Sequence, residues 1–351
     1  MDKISNCDIS ALESLIEAAD SIAITAHMRP DGDAVGSCTA LYHCLQAMHK
    51  NAVIVLPDSI PGNLGFLAGT VSRERLLTFE EDSKAAEKAI AGSDLIFSLD
   101  YNAFHRTGEM ESLLCGSGAK KVLIDHHLNP DRSIFDLVFS ETEISSTAEY
   151  LFYILTATTG FGPGAGRLPH AAALALMTGM TTDTNNFANS VFPSTLRMAS
   201  ALLEAGVDRD MMLEHLYSEC REERIRLQGE LLSGNMKIYG EGVALMVLDQ
   251  ATMDRFSLQE GETEGFVNIP LSIGKVRLSC FLKEDKGRIR VSLRSKRGVS
   301  ANRCAAMYFH GGGHEQAAGG RLSIPDDVSS ITEAAEYAEK ATRDFMRTGN
   351  I

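Results

Sequence analysis

An aspartate and two histidines stand side by side at residues 125–127, directly after the apolar run at 122–124. An imidazole offers a nitrogen ligand or a proton carrier, and a carboxylate beside it fixes the ring or shares a cation. A turn with two exposed histidines would carry the same three letters, so the rest of the chain has to decide. His27, Asp31 and Asp33 follow the apolar run 21–26 in HMRPDGDAVGS, Asp100 follows LIFSL at 95–99, and Asp183 closes the stretch ALMTGMTTDT. Singly, each has a plain explanation: a Pro-Asp-Gly turn, a helix N-cap at Asp100, a cap at Asp183. Together, four separate segments deliver Asp or His where an apolar run stops. The other histidines lack such a setting: His43 and His49 fall on the first helical pattern, and His105, His170 and His215 read as surface or capping residues.

Carboxylates gathered at one place repel unless positive charge stands between them. Oxygen and imidazole donors without a thiolate favour hard or borderline divalent ions, Mn²⁺ or Mg²⁺, over a cysteine-type zinc site. About six ligands exceed what one ion with open positions takes. Two cations sharing a carboxylate fit better, and such pairs activate water for in-line attack at phosphorus.

The elements that must position these residues follow from periodicity. Strand-like runs at 21–26, 52–56, 95–99 and 122–124 alternate with helical patterns at 33–50, 145–158 and 171–181. That alternation predicts an α/β domain with a parallel sheet, whose ligands gather outside the carboxyl ends of the strands. Residues 159–169 read as a loop between helices, and 208–232 as one long charged helix. Beyond it the pattern changes, with strands at 244–248, 275–282 and 288–294 and helices at 300–309 and 331–346. The expected division is 1–220 for a catalytic domain, 221–235 for a linker and 236–351 for a smaller α/β domain.

In 288–294, Ile289, Val291 and Leu293 alternate with Arg288, Arg290, Ser292 and Arg294. A strand that buries the first set presents the second, and an arginine fork suits phosphate. Arg294, at the strand end, is the favoured contact. Gly311, Gly312 and Gly313 precede His314; such a run is a flexible loop or, through successive N–H groups, an anion nest.

Composition narrows the setting. The 351 residues carry 33 basic and 47 acidic side chains, a net −14. Residues 275–303 hold ten basic and two acidic residues, +8, so the remainder has 23 basic and 45 acidic, −22. One segment is thus built to meet an anion. Seven cysteines without a CxxC pair suggest reduced thiols. The opening MDKISNCDIS lacks a leader pattern, and the apolar stretch 171–177 is too short to span a bilayer, so a cytoplasmic protein off the membrane is expected.

The order HMRPDGD, FSLD, VLIDHH and TTDT closely resembles the DHH phosphoesterases, and RVSLRSKRGVSANRCAAMYFHGGGHEQAAGG resembles the DHHA1 domain that accompanies them. The resemblance spans most of the chain. It implies that His27, Asp31 and Asp100 hold one Mn²⁺ or Mg²⁺, and that Asp33, Asp100, His126 and Asp183 hold the other. It implies that His127 faces the substrate phosphate, with Asp125 orienting its neighbours, and that Arg294, Gly311, Gly312, Gly313 and His314 grip the substrate. The compact two-domain chain looks most like the oligoribonuclease and pAp phosphatase branch, acting on short RNA and small nucleotides, with a homodimer by analogy. A hydrolase of cyclic or linear dinucleotides or of polyphosphate stays open, as does a nucleotide-binding sensor. Two residues depart from the family's pattern, His310 and Asn185, each where glycine is usual.

Overall fold

The computed structural model describes residues 4–218, 220–259 and 261–348. The chain forms two compact units, Met1–Glu219 and Cys220–Ile351.

In the first unit, six strands form one parallel sheet: β1 (Ile22–Thr25), β2 (Ala52–Leu56), β3 (Leu76–Thr78), β4 (Leu95–Leu99), β5 (Lys120–Asp125) and β6 (Leu137–Ser140), in the order β3-β2-β1-β4-β5-β6. Strands of a parallel sheet are covered on both faces, which is why their sequences read as unbroken apolar runs. Ile22, Ile24, Phe97, Leu99, Val122 and Ile124 point into one core, which α1 (Asn6–Ala18), α2 (Gly32–Ala47), α3 (Gly65–Ala68) and later helices complete. Ala23, Val53, Ile96 and Leu123 point into the other, which α4 (Ser83–Ala91) and α5 (Glu111–Gly116) cover. Strand order reverses between β1 and β4, so the chain leaves their carboxyl ends in opposite directions and opens a crevice there.

Four more helices follow: α6 (Thr147–Ala157), α7 (His170–Asp183), α8 (Pro193–Glu204) and α9 (Arg209–Tyr217). Small residues let α2 and α7 lie almost backbone to backbone. A Cβ on Gly36 would stand 2.6 Å from the Ala175 carbonyl, and one on Gly179 would stand 2.7 Å from the Ala148 Cβ and 2.9 Å from Asp33 Oδ1. The glycines therefore let α2, α6 and α7 converge on Asp33.

The helix expected over 208–232 is two helices, α9 and α10 (Glu222–Glu230). Leu216 of α9 is buried in the first unit's core, whereas Leu227 of α10 is buried in the second's with Met246 and Phe281. Residues 221–235, read from sequence as a linker, form α10 and a π-type turn, Leu231–Asn235.

The second unit holds a mixed sheet of β7 (Met236–Tyr239), β8 (Val243–Leu248), β9 (Leu278–Asp285), β10 (Arg288–Ser295), β11 (Gly312–Gly313) and β12 (Ala317–Ser323), in the order β11-β12-β10-β9-β8-β7. One short helix, α11 (Gln250–Arg255), precedes the central strands. Helices α12 (Ala301–Tyr308) and α13 (Ile331–Arg347) pack on the face that carries Ile289, Val291 and Leu293. The chain is thus α/β throughout, with a parallel sheet first and a smaller mixed sheet second. No helix among the described residues is long and apolar enough to cross a membrane.

The convergence at Gly36 yields a stability prediction. Gly36→Ala should overpack α2 against α7 and cost about 1–3 kcal/mol. Urea unfolding should show a lower midpoint at unchanged slope. An unaltered midpoint would mean the two helices part without penalty.

Candidate active site

Every chemistry-bearing strand end of the first unit opens on the β1/β4 crevice. His27 lies two residues beyond β1, Asp100 directly after β4, and His126 and His127 directly after Asp125, the last residue of β5. Asp31 is the N-cap of α2, its Oδ1 accepting the amides of Asp33 (3.0 Å) and Ala34 (3.2 Å). Asp183 is the last residue of α7.

These side chains form two groups that share Asp100. In the first, His27 Nε2 lies 3.5 Å from Asp100 Oδ2 and 3.8 Å from Asp31 Oδ1. In the second, His126 Nε2 lies 3.5 Å from Asp100 Oδ1, 3.6 Å from Asp183 Oδ2 and 3.9 Å from Asp33 Oδ2. Donors about 2.1 Å from one ion stand roughly 3.0–3.6 Å apart, depending on the angle between them. The spacings of 3.5, 3.5 and 3.6 Å lie in that range and those of 3.8 and 3.9 Å slightly beyond it, so each group could hold a cation, with one Asp100 oxygen turned to each. The donor set, carboxylate oxygens and imidazole nitrogens without sulfur, fits Mn²⁺ or Mg²⁺.

The electrostatics point the same way. Burial raises the Asp33 carboxyl well above the usual carboxylate range, and the charges of Asp100, Asp183 and Asp31 push it further. Burial likewise lifts Asp183 to about 6, with Asp31 and Asp100 adding to the rise. His27 shows the converse: burial opposes its charged form, but hydrogen bonds to Asp100 and Asp31 outweigh that and raise its pKa well above the ordinary value. Burial also opposes ionisation of Asp100, yet the three surrounding imidazoles hold its pKa below the usual range. Without a cation, the cluster collects protons instead.

His127 differs from His126. Its Nδ1 is 2.7 Å from Asp125 Oδ1, a fully buried carboxylate that fixes the ring. Burial opposes its protonation, and the bond to Asp125 and the charge of Asp100 more than compensate, so its pKa is raised. Arg106 acts against that rise. The sequence reading passed over Arg106, whose segment is tied to the β1 end by a bond from the Met28 amide to its carbonyl (2.8 Å).

Backbone conformation at the centre is unusual. Asp100 has φ +63°, a left-handed turn that Asp tolerates better than most residues, and its amide donates to the Ile124 carbonyl at 3.1 Å. Behind it, the buried Tyr101 hydroxyl meets Thr25 Oγ1 and Ser98 Oγ, each at 2.7 Å, and pins the ends of β1 and β4 together. Asn185 and His310 are also left-handed, at φ +47° and φ +48°. Asparagine is among the non-glycine residues that adopt this region most readily. At 310, the side chain gains a contact with Asp327 at 3.2 Å.

In the second unit, Arg294, Gly313 and His314 lie at one end of the mixed sheet. Arg294 is opposite Ala317, and Gly313 is opposite Ala318. The His314 amide donates to the Ala317 carbonyl at 2.8 Å, and the Gly313 amide to Asn302 Oδ1 at 2.9 Å. Gly311 allows a close crossing: a Cβ there would fall 1.9 Å from the Gly319 carbonyl. Register also aligns Lys283, Arg290 and Arg321 in one row across β9, β10 and β12, a cationic row that spacing along a single strand cannot show.

A parallel sheet with a histidine–carboxylate cluster at its switch point defines an α/β protein whose clustered side chains could hold metal. Residues 21–180 match the DHH family, N-terminal domain, and residues 242–341 match the DHHA1 domain. The chain belongs to the DHH family. It is 30% identical to the bifunctional oligoribonuclease and PAP phosphatase NrnA of Thermus thermophilus, over 93% of this chain and 90% of that one. It is 28% identical to the Bacillus subtilis protein of the same name, over 90% and 94%. Among solved structures, an exopolyphosphatase-related protein from Bacteroides fragilis superposes with a TM-score of 0.90 at 35% identity, covering both chains completely.

Two predictions follow from the centre. Protons and cations compete for the same atoms, so Mn²⁺ affinity should rise with pH through the region near 6 where Asp183 titrates, with protons released on binding. Calorimetry at pH 6 in buffers of different ionisation enthalpy reads that release, and buffer-independent heats would contradict it. His126→Ala should lose bound metal, whereas His127→Ala should keep its metal and lose turnover. Equal metal loss in both would refute the division of roles.

Proposed function

We propose that this chain is a two-metal phosphoesterase that hydrolyses RNA of about two to five nucleotides to mononucleotides and dephosphorylates pAp to AMP. The observation that carries the reading is Asp100, with one oxygen 3.5 Å from His27 and the other 3.5 Å from His126, beside a His127 backed by Asp125. The names of the T. thermophilus and B. subtilis relatives support the substrate class. We assign His27, Asp31 and Asp100 to one cation and Asp33, Asp100, His126 and Asp183 to the other, with Mn²⁺ preferred. The protein is proposed to act in the cytoplasm.

When bound, such cations supply Lewis acidity and activate water for in-line attack at phosphorus. Asp100, with one oxygen toward each group of donors, would serve as a ligand in both. His127, its Nδ1 held by Asp125 at 2.7 Å, would present Nε2 to a phosphate oxygen and, when protonated, donate to it and stabilise the charge that grows there. Asp125 keeps the ring in the orientation that allows this.

In the second unit we assign Arg294, His314 and the segment Gly311, Gly312 and Gly313 to the terminal phosphate or sugar of the substrate. The amides of Gly311 and Gly313 donate to the Ala305 carbonyl and to Asn302 Oδ1, so the glycines serve as close backbone approach and not as an amide nest. A long strand would call for a basic groove lined by stacking aromatics. The basic segment 275–303 has a single aromatic residue, Phe281, and that side chain is buried in a core cluster. Few phosphates are then held, and affinity should fall with salt along a shallow slope.

Arg294→Ala and His314→Ala should each weaken dinucleotide hydrolysis by roughly 10–100-fold in kcat/KM, the worth of a hydrogen bond to a charged group. Hydrolysis of a small generic phosphodiester such as bis-p-nitrophenyl phosphate should change little. Product analysis with end-labelled RNAs of two to twenty nucleotides, alongside pAp, tests the substrate class. Equal losses on both substrates, or faster cleavage of the 20-mer than of the trimer, would overturn it.

A further inference from the structure

Residues 145–149, Ser-Ser-Thr-Ala-Glu, lie outside every strand end that supplies a ligand, yet they touch the carboxylates of two of those segments. We infer that Thr147 is a positioning residue for the cation centre, setting Asp33 and Asp100 through its amide and its hydroxyl, and that Glu149 locks Thr147 in place. The inference rests on the ligand assignment proposed above.

The contacts are specific. The Thr147 amide donates to Asp33 Oδ2 at 2.7 Å and the Ala148 amide to Asp33 Oδ1 at 2.8 Å. The Thr147 hydroxyl donates to Asp100 Oδ1 at 2.9 Å, the same oxygen that stands 3.5 Å from His126. Thr147 is fully buried, and Asp33 and Asp100 are 1% and 2% exposed, so bulk water does not replace these donors. The amides are the orphan donors of the first turn of α6, and the positive end of that helix favours the anionic ligands it faces. A β-branched side chain has few rotamers, which holds the hydroxyl on Asp100.

The turn is itself fixed by a buried carboxylate. The Ser146 hydroxyl caps α6 by accepting the Glu149 amide at 3.0 Å. Glu149 has no exposed surface, and its Oε2 accepts the Ser145 amide at 3.1 Å, the Ser145 hydroxyl, and the Thr195 hydroxyl at 2.7 Å. Thr195 lies in the first turn of α8, the helix that follows the Asp183 turn, and also accepts the Phe192 amide at 3.0 Å. One buried carboxylate thus joins the start of α6, which sets Asp33 and Asp100, to the start of α8, which receives the chain after Asp183. A hydrophobic replacement of Glu149 would leave two hydroxyls and an amide without that acceptor.

Mn²⁺ titration of the purified full-length chain, by calorimetry and by paramagnetic resonance of free ion, tests the inference on wild type, Thr147→Ser and Thr147→Val. The valine keeps the shape and the amide and removes only the hydroxyl. It should weaken Mn²⁺ binding by about 10–100-fold, the usual effect of removing a group that orients a ligand. The serine should stay close to wild type. Thermal melts of the metal-free proteins separate orientation from packing. Should the valine variant not fold, Thr147→Ala supplies the same comparison. If the hydroxyl-free variant binds Mn²⁺ as wild type does, Thr147 is a packing residue and the inference fails. If wild type itself binds fewer than two Mn²⁺ per chain, the ligand assignment fails and takes this inference with it.

Discussion

Buried Asp33 and Asp100, with Asp31 and Asp183 at their edge, place four carboxylates within reach of two imidazoles. Their mutual repulsion away from bulk water is the constraint on which the rest of the first unit depends. Burial first, and that repulsion second, raise the carboxyls of Asp33 and Asp183; the same carboxylates favour the charged form of His27 and are met by amide donors at the start of α6. Divalent cations resolve the repulsion in a way protons do not, because they also leave positions for water and phosphate.

The scaffold turns that constraint into a fixed geometry. Strand order reverses between β1 and β4, so His27 and Asp100 emerge side by side, and β5 adds His126 and His127 from the neighbouring strand end. The left-handed turn at Asp100 presents its carboxylate to both sides. Glycines in α2 and α7 bring Asp33 against α6 closely enough for two amides to reach it. Each device is local, and each acts on a side chain of the same cluster.

Much of this was legible in the sequence. Strand ends are marked by apolar runs that stop at Asp or His, and parallel strands buried on both faces write such runs plainly. What escaped was written less plainly. The edge strands β3 and β6 are only three and four residues long, too short for an apolar run to stand out, and β12 contains Gly319 and Gly320, poor strand formers, of which Gly320 is required where a Cβ would stand 2.4 Å from the Phe309 carbonyl. The break between α9 and α10 depends on Leu216 and Leu227 serving different cores, a fact of tertiary packing. Thr147, Glu149 and Tyr101 act through hydrogen bonds across the fold, and Lys283, Arg290 and Arg321 align only through strand register. Asn185 and His310, where the sequence resemblance implied glycine, have the left-handed backbone that glycine adopts most readily.

The central claim is that one carboxylate, Asp100, is shared by two cations. Electron paramagnetic resonance of the Mn²⁺-loaded protein tests it most directly, because ions about 3.5–4 Å apart through a common ligand are spin-coupled. Wild type should bind two Mn²⁺ per chain and give the spectrum of a coupled pair, and Asp100→Asn should lose the coupling. A wild-type spectrum of isolated Mn²⁺ at full loading, or a coupled pair that survives Asp100→Asn, would contradict the account.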